Sequence, residues 1–194
     1  MPICATDKEE TILSNRKIIV FDTETDGLLK PSAAGIEGQP FITEIYMVKL
    51  DEEFNILEEF ESYIKIPIPV PEFITRITGI SDAMLSNAPT FRDISDKLKI
   101  FIEDATETVA HNHSFDKCMV LNQFIRAGYK EFDWPEIETC TVEKTMHIEQ
   151  RRLNLNRLHE LLFGKEFTGA HRAKTDVHAL VRCYHKLRED GVCE

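Results

Sequence analysis

The sequence predicts an α/β fold, a mixed β-sheet flanked by helices. Three strand-like runs follow one another near the N-terminus, joined by links too short for crossover helices. Helices alternating with short apolar strands come after them, which is the pattern of a layered α/β domain. A hydrophobic fraction of 42% and a charged fraction of 29% over 194 residues suit one globular domain with a substantial core.

Residues 1–16 read as a lead-in to a single domain over 17–190. Ile18-Ile19-Val20-Phe21 is a β-branched and aromatic run, the mark of a strand buried on both faces. LLKPSAAGIEGQP is a Gly-, Pro- and Ala-rich loop. FITEIYMVKL (41–50) and ILEEFESYIKI (56–66) are the second and third strands, the latter with Phe60, Ser62, Ile64 and Ile66 at period two. The three form an antiparallel meander. PIPVPE (67–72) is extended, and FITRIT is a short helix ended by Gly79. Ser81 caps the short SDAML, and Thr90 with Asp93 forms a capping pair for a helix reaching Glu103. On that helix Phe91, Ile94, Leu98, Phe101 and Ile102 share one stripe. TVAH (108–111) is a short buried strand, followed by a helix from Ser114 to Ala127 that Gly128 closes. EFDWPEIE (131–138) is irregular or a last edge strand, with Trp134 as a packed anchor. Helices then cover Val142–His147, Asn154–Phe163 and His171–Glu189, the last with Ala173, Val177, Leu180, Val181, Tyr184 and Leu187 on one face.

No apolar run approaches a membrane span, and MPICATDKEET lacks the layout of a secretion signal. The cysteines, Cys4, Cys118, Cys140, Cys183 and Cys193, are odd in number and show no CxxC spacing. Free thiols in a reducing, cytoplasmic setting without a membrane partner are expected. With 23 basic and 34 acidic residues the net charge is −11. That argues against coating duplex nucleic acid through many phosphate contacts, but not against gripping a few nucleotides in a metal-loaded cleft.

Three stretches carry chemistry. In IIVFDTETDGL, Asp22 and Glu24 stand two apart at the end of the first strand, so both carboxylates point to one face at the rim of an apolar core. Their repulsion calls for protonation of one or for a bound cation, and oxygen-only ligands suit Mg²⁺ or Mn²⁺. The plainer alternative is a polar exit from the strand through the Asp26-Gly27 turn. In VAHNHSFDKC, Asp116 lies in the first turn of a helix that follows a buried strand. The helix dipole alone would favour a carboxylate there; a strand-to-helix junction is also where sites gather in α/β sheets. Phe115 is core or a platform for a base. In GAHRAKTDVHAL, His171 and Asp176 lie five apart, about 140° around a helix, and converge only if His171 precedes the helix. Arg172, Lys174 and Lys117 flank these acids and either touch phosphates or are solvated. His147, His159, His178 and His185 read as surface or boundary residues, and the spacing of His111, His113 and Cys118 is that of no known structural zinc set.

Asp-x-Glu after a strand, an Asp at a helix start and His-x-Ala-x-x-Asp near the C-terminus, together with the Pro-rich segment, ITGISDAML and APTF, resemble the DnaQ-like 3′–5′ exonucleases of the DEDDh class. The likeness is to DNA polymerase III epsilon-type proofreading domains and covers Ile18 to Leu187. It implies an RNase H-like fold, with three antiparallel strands and then parallel ones. It also implies nuclease chemistry with two divalent ions, Mg²⁺ or Mn²⁺. Matched to the family, Asp22, Glu24, Asp116 and Asp176 are the metal-binding acids and His171 is the general base. Thr23, Thr25, Gly27 and Leu28, with Asn112 and Phe115, match segments that meet the substrate. The long, Gly- and Pro-rich loop between Leu28 and Phe41 departs from the family pattern and bears on the shape of the 3′-end pocket. The expected substrate is the 3′ end of single-stranded DNA, released as nucleoside 5′-monophosphates, with a replication or repair partner. Two rivals are an exoribonuclease of the oligoribonuclease or RNase T kind and a catalytically silent nucleic-acid-binding module. The chain ends eighteen residues after Asp176, which sets a stand-alone enzyme or self-sufficient small subunit as the expectation.

Overall fold

The computed structural model describes residues 16–31 and 35–193. One sheet runs in the order β3-β2-β1-β4-β5, with β1 Ile18–Thr25, β2 Ile42–Leu50, β3 Ile56–Tyr63, β4 Glu107–Ala110 and β5 Ile137–Cys140. The first three strands are antiparallel, and β4 and β5 join in parallel, as expected. The helices are α1 Glu72–Thr78, α2 Asp82–Leu85, α3 Phe91–Glu103, α4 His113–Ala127, α5 Thr141–Glu149, α6 Leu155–Phe163 and α7 Ala173–Glu189.

Alternation along β1 decides what each face of the sheet receives. Ile18 and Val20 point to one side and pack with Tyr46, Val48 and Val109 against Val177, Leu180 and Tyr184 of α7. Ile19 and Phe21 point to the other, among Ile45, Met47, Leu98 and Phe101 of α3 and Met119 and Phe124 of α4. Every residue of β2 is buried, so that strand reads as a continuous run.

Several local expectations hold in atomic detail. Thr90 donates to Asp93 Oδ2 from its backbone N–H (2.8 Å) and its hydroxyl (2.6 Å), opening α3. Gly79, Gly128 and Gly164 take the left-handed conformation after α1, α4 and α6.

Others shift. The third strand stops at Tyr63, not Ile66: Ile64 N–H still reaches Thr43 O at 2.9 Å, but Lys65 bridges to Thr90 and Pro67 has no N–H to offer. Ser81 stands at the N-cap of α2 without a side-chain cap bond; the polar contact there is Asp82 Oδ1 accepting from Val70 N–H at 2.9 Å. Only the end of 131–138 enters the edge strand. The residues before it bring Phe132 onto Phe124 and Trp134 onto Phe21. Helix α7 begins at Ala173, leaving His171 on the loop before it. His159, expected at the surface, is buried, with Nδ1 2.8 Å from the Lys165 carbonyl; since a carbonyl only accepts, that nitrogen carries the proton.

Among the described residues no helix is long and apolar enough to cross a membrane, and Cys118, Cys140, Cys183 and Cys193 are free thiols. Cys4 and residues 1–15 of the expected lead-in lie outside the described residues.

Opposite the carboxylate end of the sheet, Glu107 is fully buried on β4. Arg16 donates to its Oε2 from Nε (3.1 Å) and Nη2 (2.6 Å), while Thr139 (2.7 Å) and Tyr184 (2.8 Å) hydroxyls donate to Oε1. This satisfied charge ties the segment entering β1 to β5 and α7. Glu107→Ala removes the buried carboxylate that Arg16 and two hydroxyls share and is expected to cost about 3–5 kcal/mol. Urea unfolding checks this: the midpoint should fall with the slope unchanged.

Candidate active site

Past Phe21 the sheet narrows. Pairing of β1 with β4 ends at Val20 and Val109, while β1 runs on beside β2 to Thr25. The alternation that buries Ile18 and Val20 against α7 therefore places Asp22 and Glu24 on the α7 face, and Thr23 on the α4 face. Helix α7 brings Asp176 in its first turn to the same face. One oxygen each from Asp22, Glu24 and Asp176 lies within 4.8 Å of the others. Asp116 arrives from the first turn of α4, where its Oδ1 accepts from Thr23 N–H (3.1 Å) and Thr23 Oγ1 (2.7 Å).

Of the four acids and the expected general base, His171 alone lies on a loop. It has φ +68°, an exposed side chain, and a backbone N–H that donates to Asp176 Oδ2 at 3.0 Å. That left-handed turn is the convergence the spacing required, since full helix would set the two residues apart. The other Asp176 oxygen, Oδ1, is buried and has no hydrogen-bond partner.

The acids are crowded, and their proton affinities record it. Burial first, then the charges of Asp116, Glu24, Asp176 and Glu44, push the Asp22 carboxyl well above the usual carboxylate range. Glu24 is pushed up to about 8 by burial and then by Asp176, Glu44 and Asp116, with Arg172 opposing. Burial lifts Asp116 to about 7 against its Thr23 bonds, and Asp176 to about 6 against the His171 N–H. Such a group of oxygens, one of them unpartnered, fits a hard divalent cation and lacks the positive charge it needs.

Glu44 is the residue the sequence reading passed over. It lies across from Glu24 in the β1–β2 pairing and is 2% exposed. Arg172 donates to it from Nε (3.2 Å) and Nη2 (2.9 Å), and Ala173 N–H donates at 3.1 Å. Arg172 also bonds the Tyr63 hydroxyl. The start of α7 is thereby clamped to β2 and β3, which fixes Asp176 and His171. A carboxylate inside the apolar run FITEIYMVKL was the available signal, because a buried Glu must be paired.

The remaining expected residues are placed as follows. Thr25 Oγ1 donates to Gly27 O at 2.7 Å, shaping the turn, and Gly27 has room around it. Leu28 is 80% exposed. Asn112 precedes α4 and its Oδ1 accepts from Arg152 at 2.7 Å; Phe115 is half-buried against the α3–α4 core. Lys174 pairs with Glu61 and Lys117 with Glu138, so neither is a merely solvated charge. His111 bonds Thr141 Oγ1 and Leu153 O, His113 bonds Thr108 Oγ1 and Glu138, and Cys118 is exposed, so these three form no zinc set.

The exonuclease family RNase_T matches residues 19–184. The chain is 31% identical over 188 residues to the PolC-type DNA polymerase III of Bacillus cereus, covering 97% of this chain and 12% of that protein. To the PolC-type polymerase of Caldanaerobacter subterraneus subsp. tengcongensis it is 28% identical over 196 residues, 99% of this chain and 13% of that one. It thus spans about an eighth of the length of these curated relatives. Among solved structures, Escherichia coli exonuclease I in complex with single-stranded DNA matches with TM-score 0.73 at 18% identity, over 90% of this chain and 41% of that chain. The nuclease domain of 3′hExo, described as a DEDDh family member bound to rAMP, matches with TM-score 0.70 at 16% identity, over 92% and 94%. At those identities the likeness is one of fold.

Two outcomes are expected. Carboxyls whose folded-state pKa is raised hold protons that the unfolded chain has released, so the stability they contribute falls as pH rises toward 8. Bound Mg²⁺ removes that loss. The gap between Mg²⁺-loaded and metal-free melting temperatures should widen from pH 6 to pH 8, and Asp22→Asn should raise the metal-free value at pH 8. His111 and His113, kept neutral by burial, titrate alike in both forms and cancel in the gap. Glu44→Ala removes a negative charge and the clamp on α7 together; calorimetry should show Mg²⁺ affinity weakened by about tenfold or more.

Proposed function

The chain belongs to the RNase_T family of exonucleases, with the DnaQ-like arrangement of acids, and on that premise we propose that it removes nucleotides from the 3′ end of single-stranded DNA as nucleoside 5′-monophosphates. The observation that carries the reading is the gathering of one oxygen each from Asp22, Glu24 and Asp176 within 4.8 Å of one another, with the charge of Asp116 on α4 felt at Asp22. No plain structural role accounts for four carboxylates gathered where burial holds all of them above the usual carboxylate range.

Asp22, Glu24, Asp116 and Asp176 would hold two divalent ions, Mg²⁺ or Mn²⁺. Bound there, the ions supply positive charge for the anionic phosphate and make a water easier to deprotonate. His171, on the exposed loop before α7, takes the proton from the attacking water. Water forms a bond to phosphorus as the bond to the 3′-oxygen of the preceding nucleotide breaks. Asp176 holds the His171 backbone, so the base and one metal ligand move as a unit. Glu44 and Arg172 keep that unit against the sheet. Leu28, exposed beside the strand end, offers an apolar contact for the terminal base, with the Thr25–Gly27 turn, Asn112 and Phe115 around it.

DNA is favoured because the chain is 28% and 31% identical to PolC-type DNA polymerases, which also suggests action beside a replicative polymerase. An RNA substrate is the second reading, since one fold neighbour was solved with rAMP.

Asp22→Ala and Asp176→Ala should abolish metal-dependent hydrolysis while remaining folded. His171→Ala should lose about 10²–10⁴-fold in rate and keep its metal affinity. Strands labelled at the 3′ or the 5′ end distinguish 3′–5′ removal from the reverse, and matched DNA and RNA oligonucleotides decide the sugar. Full activity in purified Asp22→Ala would end the proposal; faster removal from RNA would replace the DNA reading.

A further inference from the structure

Several cations of this chain are engaged by carboxylates. Among the described residues Arg172 is paired with Glu44, Lys174 with Glu61, Lys117 with Glu138, and Arg151 and Arg157 with Glu149. Arg152 differs. It is exposed on the segment between α5 and α6, and its Nη2 donates at 2.7 Å to Asn112 Oδ1, a neutral acceptor. No carboxylate oxygen of the described residues lies within 4.0 Å of it.

Its position is fixed on both sides. Leu153, the next residue, is buried in the core under α7, and the Leu153 carbonyl lies 3.0 Å from His111 Nε2. His111 and Asn112 link β4 to α4, the helix that carries Asp116. A guanidinium is therefore held at the carboxylate end of the sheet, steered by Asn112, with the rest of its donor fork open to solvent.

A strand entering this site brings more than one phosphate. The carboxylate cavity and its ions address only the scissile one. The next phosphate along the strand meets a strongly acidic protein and needs a positive charge of its own. We propose that Arg152 supplies it, binding the first non-scissile phosphate of the substrate strand while Asn112 orients the guanidinium. The inference rests on the exonuclease reading and adds a residue that sets the length of strand the site grips.

The test compares Arg152→Ala with the wild type on a single-stranded DNA ten-mer and on the p-nitrophenyl ester of thymidine 5′-monophosphate, which carries the scissile phosphate alone. The ratio of kcat/KM on the strand to kcat/KM on the ester should fall about 10- to 100-fold, mainly through KM. Replacing the second linkage of the ten-mer by a neutral methylphosphonate should weaken the wild type and erase its advantage over Arg152→Ala. Equal losses on both substrates would show that Arg152 merely braces Asn112, and no loss on either would show that it has no part; both overturn the inference alone. A wild type that hydrolyses neither substrate would sink the exonuclease reading, and this inference with it.

Discussion

Acids drawn together at one end of a sheet are the constraint around which this chain is built: one oxygen each from Asp22, Glu24 and Asp176 lies within 4.8 Å of the others, and Asp116 stands at the start of α4. Burial raises the proton affinity of Asp22, Glu24, Asp116 and Asp176, and the neighbouring acids add to it at Asp22 and Glu24, so the metal-free site is under electrostatic stress. The stress is tolerable because the acids sit at the end of a sheet whose two faces are packed with apolar side chains. Strand β1 contributes to both: its first half anchors the core, and its second half carries Asp22 and Glu24 on the same alternation. Stability and chemistry share one strand and are separated only by where pairing with β4 stops.

Around those acids lies a ring of residues that set their geometry. Thr23, on the reverse side of β1, bonds Asp116 twice and so joins the strand to α4. Glu44, on the neighbouring strand, receives Arg172 and the first N–H of α7. The His171 N–H closes the set on Asp176. Each bond crosses between elements far apart in sequence, which is how acids from three segments are brought within reach of one another. Glu44 has a double effect: it locates Asp176 while adding to the negative field that Arg172 only partly offsets at Glu24.

What was legible in the sequence follows from what is local. The Thr90–Asp93 cap, the glycine helix stops, the β1 alternation and the placing of Asp22 beside Glu24 depend on neighbours a few residues away. The four acids stood out because each sits at a strand end or in the first turn of a helix, where a polar side chain interrupts an apolar pattern, while His171 lies on the loop before α7. Glu44 was not read as a partner, because within a fully buried strand its role depends on Arg172, on a helix whose arrival the local sequence does not announce. The same holds for His159, whose burial depends on the loop through Lys165. Flanking cations read as phosphate contacts or solvated charges proved to be ion-paired, since choosing among acidic partners is a tertiary matter.

An acidic protein that handles a polyanion must concentrate attraction in a small area. With net charge −11 there is no general field drawing nucleic acid in, and Arg172 and Lys174, beside the acids in sequence, are held in ion pairs. Specific contacts must then do what diffuse charge does in basic DNA-binding proteins. A cavity short of positive charge, able to take divalent ions, turns the local surplus of acid into an attractive place for a phosphate. A chain end suits such a site better than a duplex interior does, because it presents few phosphates at once and can thread into a narrow opening. The acidity of the chain and the single-stranded substrate we propose are thus answers to the same requirement: attraction confined to the place where the bond is to be broken.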